Sequence, residues 1–246
     1  MLSKPPNKNF RSDLEFFTTK LKNREPFTLS KYADGEWAVM MNHAINNKEF
    51  WFNPLNQNDQ RRRLALVDSF KFKHDNYYVG ISCPCCQGMA TFDQMYNYCD
   101  QDDDHITWAN IWVNSNYQYY LDKIMPLYCE RNDIILFCNR KANIDNLPFK
   151  PYAYFPIDNN AWEKNWNYIE EAKLLIDSLD HDGYLFLFCC GPFGNILCHQ
   201  LTKHNPDNTY LDIGSTLNPL LQSEEFQRHY YMGDNIYSRQ VCTWGK

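Results

Sequence analysis

Two hydrophobic rhythms run along the chain. Apolar residues recur at helical spacing over 13–21, with Ser12 or Asp13 placed to cap. An extended run over 27–32 ends in an Asp-Gly pair and leads into a second helical pattern over 36–45; a third covers 59–72. Strand-like runs follow at 77–82, 106–109, 133–138, 152–157, 184–190 and 210–213, most of them separated by helical patterns at 117–131, 161–179 and 193–204. Strands alternating with helices of that length predict crossover connections and a mostly parallel sheet. The central runs are continuously apolar rather than alternating, as strands covered on both faces are. The expectation is an α/β, Rossmann-like three-layer fold. No Gly/Ser-rich, Pro-rich or low-complexity stretch divides the chain, so one domain is expected over 1–246.

Composition narrows the function classes. The formal charge of −6 argues against a general nucleic-acid binder, which needs a basic face. The run Arg61-Arg62-Arg63 falls on a helical pattern and reads as a solvated face. The longest strongly apolar run, 184–190, is far short of the ~20 residues of a membrane-crossing helix. The opening Met1-Leu-Ser-Lys-Pro-Pro has no apolar signal region, and the expected location is the cytoplasm, a reducing compartment. Ten cysteines fit that setting, with Cys138, Cys189 and Cys190 inside apolar runs as small hydrophobes. Cys83-Pro84-Cys85-Cys86 lacks a second ligand pair, and its nearest companions, Cys99 and His105, make no recognised zinc pattern. The aromatic fraction, 16%, suits carbohydrate stacking and core packing alike.

In parallel sheets ligands bind beyond the carboxyl ends of the strands. That rule selects Asp34 and Glu36, 83–88, 139–141, 158–160, 191–195 and 212–215. On an extended backbone Asp34 and Glu36 would point to one side as two hard oxygen donors for Mg²⁺ or Mn²⁺; otherwise Asp-Gly is a turn and Glu36 starts a helix. The strand-to-helix turn carrying Gly191, Pro192, Gly194 and Asn195 would bring backbone N–H groups to an anion, or would simply be a tight turn. Arg140 and Lys141 place cations where a diphosphate could lie. Leu211-Asp212-Ile213-Gly214-Ser215 is similar to the first motif of S-adenosylmethionine methyltransferases, although it comes late in the sequence for that role. Asp102-Asp103-Asp104 reads as a solvated loop, and the seven histidines show no ligand spacing.

In order, these segments resemble the GT-D-type glycosyltransferases, a Rossmann-like family once catalogued as a domain of unknown function. The resemblance runs from Phe27-Thr-Leu-Ser-Lys-Tyr-Ala-Asp-Gly-Glu36 through Trp112-Val-Asn-Ser-Asn-Tyr117 and 133–140 to 188–201 and Tyr210-Leu-Asp-Ile-Gly214. It implies sugar transfer from a nucleotide diphosphate, a UDP-sugar such as UDP-glucose, UDP-galactose or UDP-xylose, to a glycan or glycoprotein hydroxyl. By the resemblance Asp34 and Glu36 engage Mn²⁺ or Mg²⁺ and the diphosphate, and Lys31, Tyr32, Arg140, Gly191, Pro192, Gly194, Asn195, Gly214 and Ser215 join them around the donor. Lys31 and Ser215 stand where the family often has Arg and His. Asp212 and Asp158 are the candidate bases. A methyltransferase and a non-catalytic glycan-binding protein are the alternatives.

Overall fold

A computed structural model describes residues 10–221. The opening six residues and the far end of the expected domain lie outside the described residues. In chain order the strands are β1 Thr28–Lys31, β2 Ile45–Asn46, β3 Trp51–Phe52, β4 Tyr77–Ile81, β5 Ile106–Trp108, β6 Ile134–Asn139, β7 Ala153–Ile157, β8 Leu185–Phe188 and β9 Thr209–Asp212. Seven of them form one sheet in the order β5-β4-β1-β9-β8-β6-β7. Every ladder in it is parallel, so the expected α/β class holds. β1, β4, β8 and β9 are buried along their whole length; β4 and β8 are apolar or small throughout, while β1 and β9 end in the charged residues Lys31 and Asp212 at the carboxyl edge.

The three layers follow from strand alternation. Tyr77 and Tyr78 are neighbours on β4 and point to opposite faces. Tyr78 meets Phe17 of the Phe10–Asn23 helix, with ring centroids 5.2 Å apart. Tyr77 meets Phe72, which follows the Gln57–Lys71 helix and in turn packs on His199 of the Pro192–His204 helix. Each sheet face is thus sealed by aromatic contacts to its own helices.

Several element boundaries differ from the sequence pattern, each for a local reason. The helix read over 36–45 is Asp34–Met40. Asn42 takes a left-handed conformation (φ 64°), with Asn42 N–H bonding Val39 O and His43 N–H bonding Ala38 O. That double closure at a left-handed residue ends a helix. The helix read over 161–179 breaks into Ala161–Lys164 and Tyr168–Ser178, because Asn165 turns its side-chain oxygen to the Asp158 N–H at 2.8 Å. The 117–131 stretch contains a π turn, Tyr120–Ile124, just before Pro126, which has no N–H to give the helical ladder. The Phe10–Asn23 helix starts before Ser12, and Asp13 accepts from Thr107 Oγ1 at 2.6 Å, tying the helix to β5. The pattern missed the β2–β3 hairpin and the Pro84–Gln87 and Met89–Tyr98 helices.

Asn160 ties the hairpin to the Ala161–Lys164 helix, alongside the Phe50 and Phe52 rings that pack on Trp162. Asn160, fully buried and left-handed (φ 59°), donates its N–H to Glu49 O at 2.8 Å. Its side-chain oxygen accepts from Trp51 N–H at 3.1 Å and from Trp162 Nε1 at 2.8 Å. Asn160→Ala strands two donors and keeps a strained backbone, so it should lower unfolding free energy by roughly 2–4 kcal/mol in a urea titration. A loss below half of that would mean the hairpin is anchored elsewhere.

Candidate functional site

A cavity of about 620 Å³ opens along the carboxyl edge of the sheet. It reaches from Ser82, Cys83 and Cys86 beyond β4 to Asp158 and Asn159 beyond β7. Five strand spacings separate those ends, roughly 24 Å at ~4.8 Å per strand. Such a slot suits an extended ligand better than a compact one. The hairpin segment Asn47, Lys48, Glu49 and Phe50 forms part of its wall.

Asp212 organises the middle of the floor. Its carboxylate is 6% exposed and is met by three N–H donors. Gly214 N–H reaches Oδ1 at 3.0 Å, and Lys31 N–H reaches Oδ2 at 3.3 Å. The Asn195 amide nitrogen lies 3.4 Å from Oδ2 and also donates to Lys31 O at 2.8 Å and Ser30 Oγ at 3.0 Å. Burial raises the Asp212 pKa, while the Lys31 ammonium and these donors oppose the rise. Lys31 is 8% exposed, lines the cavity, and holds its Nζ 5.8 Å from the Trp112 ring centroid. Gly214 (φ 54°) leaves room for that ammonium, since a Cβ there would sit 3.3 Å from Nζ. Gly191 (φ 55°) likewise makes a turn that other residues rarely adopt, beneath Phe50.

Asp34, Gly35 and Glu36 form the first turn of a helix rather than an extended strand end. Side chains two apart on a helix do not face each other. Glu36 instead folds back, its Oε2 accepting the Ala33 N–H at 3.1 Å, while Asp34 is exposed at the rim. The far end of this short helix is fixed by Arg63, whose Nε and a terminal nitrogen hold Met40 O at 3.0 and 2.8 Å. Glu36 is pushed up to about 7, first by burial and then by the charges of Asp212 and Asp34, against its bond to Ala33.

The other residues read from the sequence fall into two groups. Gly191, Gly214, Ser215, Asp158 and Lys141 line the cavity. Tyr32 does not, because it follows Lys31 on an extended segment and so points the opposite way; its hydroxyl bonds Ser69 Oγ at 2.9 Å in the core. Pro192, Gly194 and Asn195 support the floor from below without lining it. Arg140 turns aside to Asp158, with Nε–Oδ1 2.7 Å and a second bond of 2.8 Å, so this cation and this carboxylate occupy each other. Cys99 bonds Tyr96 O, and His105 faces Asp75 O. Hairpin residues 47–50, Asn110 and Asn114 line the cavity without having stood out in the sequence.

Electrostatics limits what the cavity accepts. Its charged lining is Lys31, Lys48 and Lys141 against Asp34, Glu36, Glu49, Asp158 and Asp212. A polyphosphate entering this excess of carboxylates would be repelled by it. Its carboxylates are hard oxygens, the donor type that suits Mg²⁺ or Mn²⁺. Among the described residues no three carboxylates or histidines converge to form a site by themselves. Burial pushes the Cys189 and Cys190 thiols well up, which leaves them neutral and poor nucleophiles.

No family model and no curated protein matches the chain. Solved structures do share its fold. One, described as showing that the highly conserved domain of unknown function 1792 has a distinct glycosyltransferase fold, superposes with a TM-score of 0.58 over 87% of this chain and 80% of its own, at 16% identity. A selenomethionine-substituted structure of domain of unknown function 1792 gives 0.59 over the same shares, at 15% identity. The chain therefore has that distinct glycosyltransferase fold, as its resemblance to the GT-D type implied. Among the described residues no helix is long and apolar enough to cross a membrane.

The raised Glu36 carboxyl has a consequence for stability. Between its ordinary value of 4.5 and about 7 the folded chain holds a proton that the unfolded chain has lost. Stability therefore falls as pH rises through that window, and the cost is complete above it. Glu36→Gln should raise the melting temperature of metal-free protein at pH 8 and leave it unchanged at pH 5. Equal effects at both pH values would show that Glu36 carries no such strain.

Proposed function

We propose that the chain is a metal-assisted glycosyltransferase that moves a sugar from a nucleotide-diphosphate donor of the UDP-glucose, UDP-galactose or UDP-xylose kind to a glycan or glycoprotein hydroxyl. The observation that carries the reading is the placement of buried Lys31 with Asp34 and Glu36 in one cavity, beyond the interior strand β1 of a sheet whose solved neighbours include a described glycosyltransferase fold.

In this reading Asp34 and Glu36 hold Mn²⁺ or Mg²⁺ together with the donor's phosphates. The cation, when bound, neutralises charge growing on the departing nucleoside diphosphate. Lys31 adds a fixed ammonium, aimed by its backbone bond to Asp212 and by the Trp112 face. The turns at Gly191 and Gly214 let phosphate oxygens approach main-chain N–H groups. Asp212, with both oxygens already engaged, acts as a positioning residue for Lys31 and the Gly214 turn. Asp158 remains the candidate base on the far wall, where release from Arg140 would free it to take the acceptor proton.

A thermal-shift screen of nucleotide sugars with Mn²⁺ and with EDTA tests the reading, because ligands that bind only the folded chain raise its melting temperature. UDP and one UDP-sugar should stabilise the protein only with metal. Asp34→Asn, at an exposed position, should abolish the metal requirement's benefit without altering the free protein's melting. Lys31→Met should weaken UDP binding roughly 10- to 100-fold, as expected for one charge-assisted hydrogen bond of about 1.5–3 kcal/mol. Stabilisation by S-adenosylmethionine in place of UDP would overturn the assignment.

A further inference from the structure

The turn after β4 brings three sulfurs together. Cys83, Cys85 and Cys86 place their Sγ atoms within 4.8 Å of one another, with Cys83 and Cys85 3.0 Å apart. Among the described residues it is the only group of three or more Cys, His, Asp or Glu ligand atoms that converges in this way. Tetrahedral zinc binds thiolate at about 2.3 Å, so two thiolates on one ion lie roughly 3.8 Å apart. The Cys83–Cys85 pair is closer than that, and all three sulfurs lie within 4.8 Å of one another. No disulfide joins any of the three.

Asn110, just beyond β5, turns its amide nitrogen to this cluster, 3.2 Å from Cys86 Sγ and 3.7 Å from Cys83 Sγ. Asn114 Nδ2 lies 3.8 Å from Cys86 Sγ. N–H donors directed at sulfur favour the thiolate over the thiol, the form that binds metal. They also occupy the place of the outer hydrogen bonds that orient metal ligands. Cys85 and Cys86 are exposed, and Cys83 and Cys86 line the cavity, so an ion can reach the cluster from solvent.

We infer that Cys83, Cys85 and Cys86 form a three-thiolate site for a thiophilic d¹⁰ cation, Zn²⁺ in particular, with its fourth position open to the cavity. The site is separate from the oxygen-donor position at Asp34 and Glu36 and does not rest on the transferase reading. Three thiolates leave bound Zn²⁺ with a net charge of −1, so it adds no pull on a diphosphate. Its effect is to clamp the β4 turn that forms one end of the slot.

Metal titration of the reduced, full-length chain tests this without any nucleotide. Cd²⁺, a spectroscopic stand-in for Zn²⁺, should produce an ultraviolet thiolate-to-metal charge-transfer band saturating at one ion per chain, and Zn²⁺ should displace it. Cys85→Ser and Cys86→Ser, both at exposed positions, should abolish saturation at one equivalent, whereas Cys129→Ser should leave it intact. Asn110→Ala should weaken binding about 10- to 100-fold. Circular dichroism of each variant separates loss of the site from loss of the fold. Absence of the band, its persistence in Cys86→Ser, or a Cys83–Cys85 disulfide that survives reductant would overturn the assignment.

Discussion

The structure turns on one buried carboxylate. Asp212 ends the strand that closes the sheet between β1 and β8, and it bonds the Lys31 backbone 181 positions earlier in the chain. A charge taken out of water is tolerable only if it is paired and hydrogen-bonded. Its donors come from β1, from the Pro192–His204 helix and from the turn at Gly214. Those three pieces must be in place together for the charge to be satisfied. The same knot fixes the direction of Lys31, so the requirement that stabilises the middle of the sheet also aims the deepest cation of the cavity.

The cavity as a whole is under-compensated. Lys31 partly answers Asp212, but Glu36 is pushed up to about 7, first by its burial and then by the charges of Asp212 and Asp34. The Ala33 N–H keeps that carboxylate facing its neighbours, and the Arg63 bonds to Met40 O hold the short helix at its other end. The crowding is therefore built in and does not relax by rotation of one side chain. In the proposed function a bound cation would relieve it.

The sheet was largely legible in the sequence because its central strands are buried on both faces and read as unbroken apolar runs. The hairpin was not. Its strands are two residues each, and the loop between them is polar, so neither period develops. The site was legible as a set of positions but less so as directions. Asp34 and Glu36 stand where the strand-end rule placed them, yet on a helix, since Asp-Gly-Glu serves equally as a first turn. Tyr32 and Lys31 were read together, although adjacent residues on an extended segment cannot both face the ligand. Arg140 and Asp158 were both read as functional, and nothing in a sequence shows that two such residues, eighteen apart, have found each other.

Adjacent strand ends along the slot differ in chemistry. Beyond β1 the donors are carboxylate oxygens, and beyond the adjacent strand β4 they are sulfurs. Ligand softness sorts divalent cations strongly, with thiolates taking Zn²⁺ and carboxylates retaining Mg²⁺ or Mn²⁺. An oxygen pair that also depends on phosphate cannot compete with three preassembled sulfurs for zinc. The sulfurs in turn have little affinity for the hard ion that a diphosphate requires. On the two proposals together, a soft and a hard cation would occupy neighbouring strand ends without exchanging places.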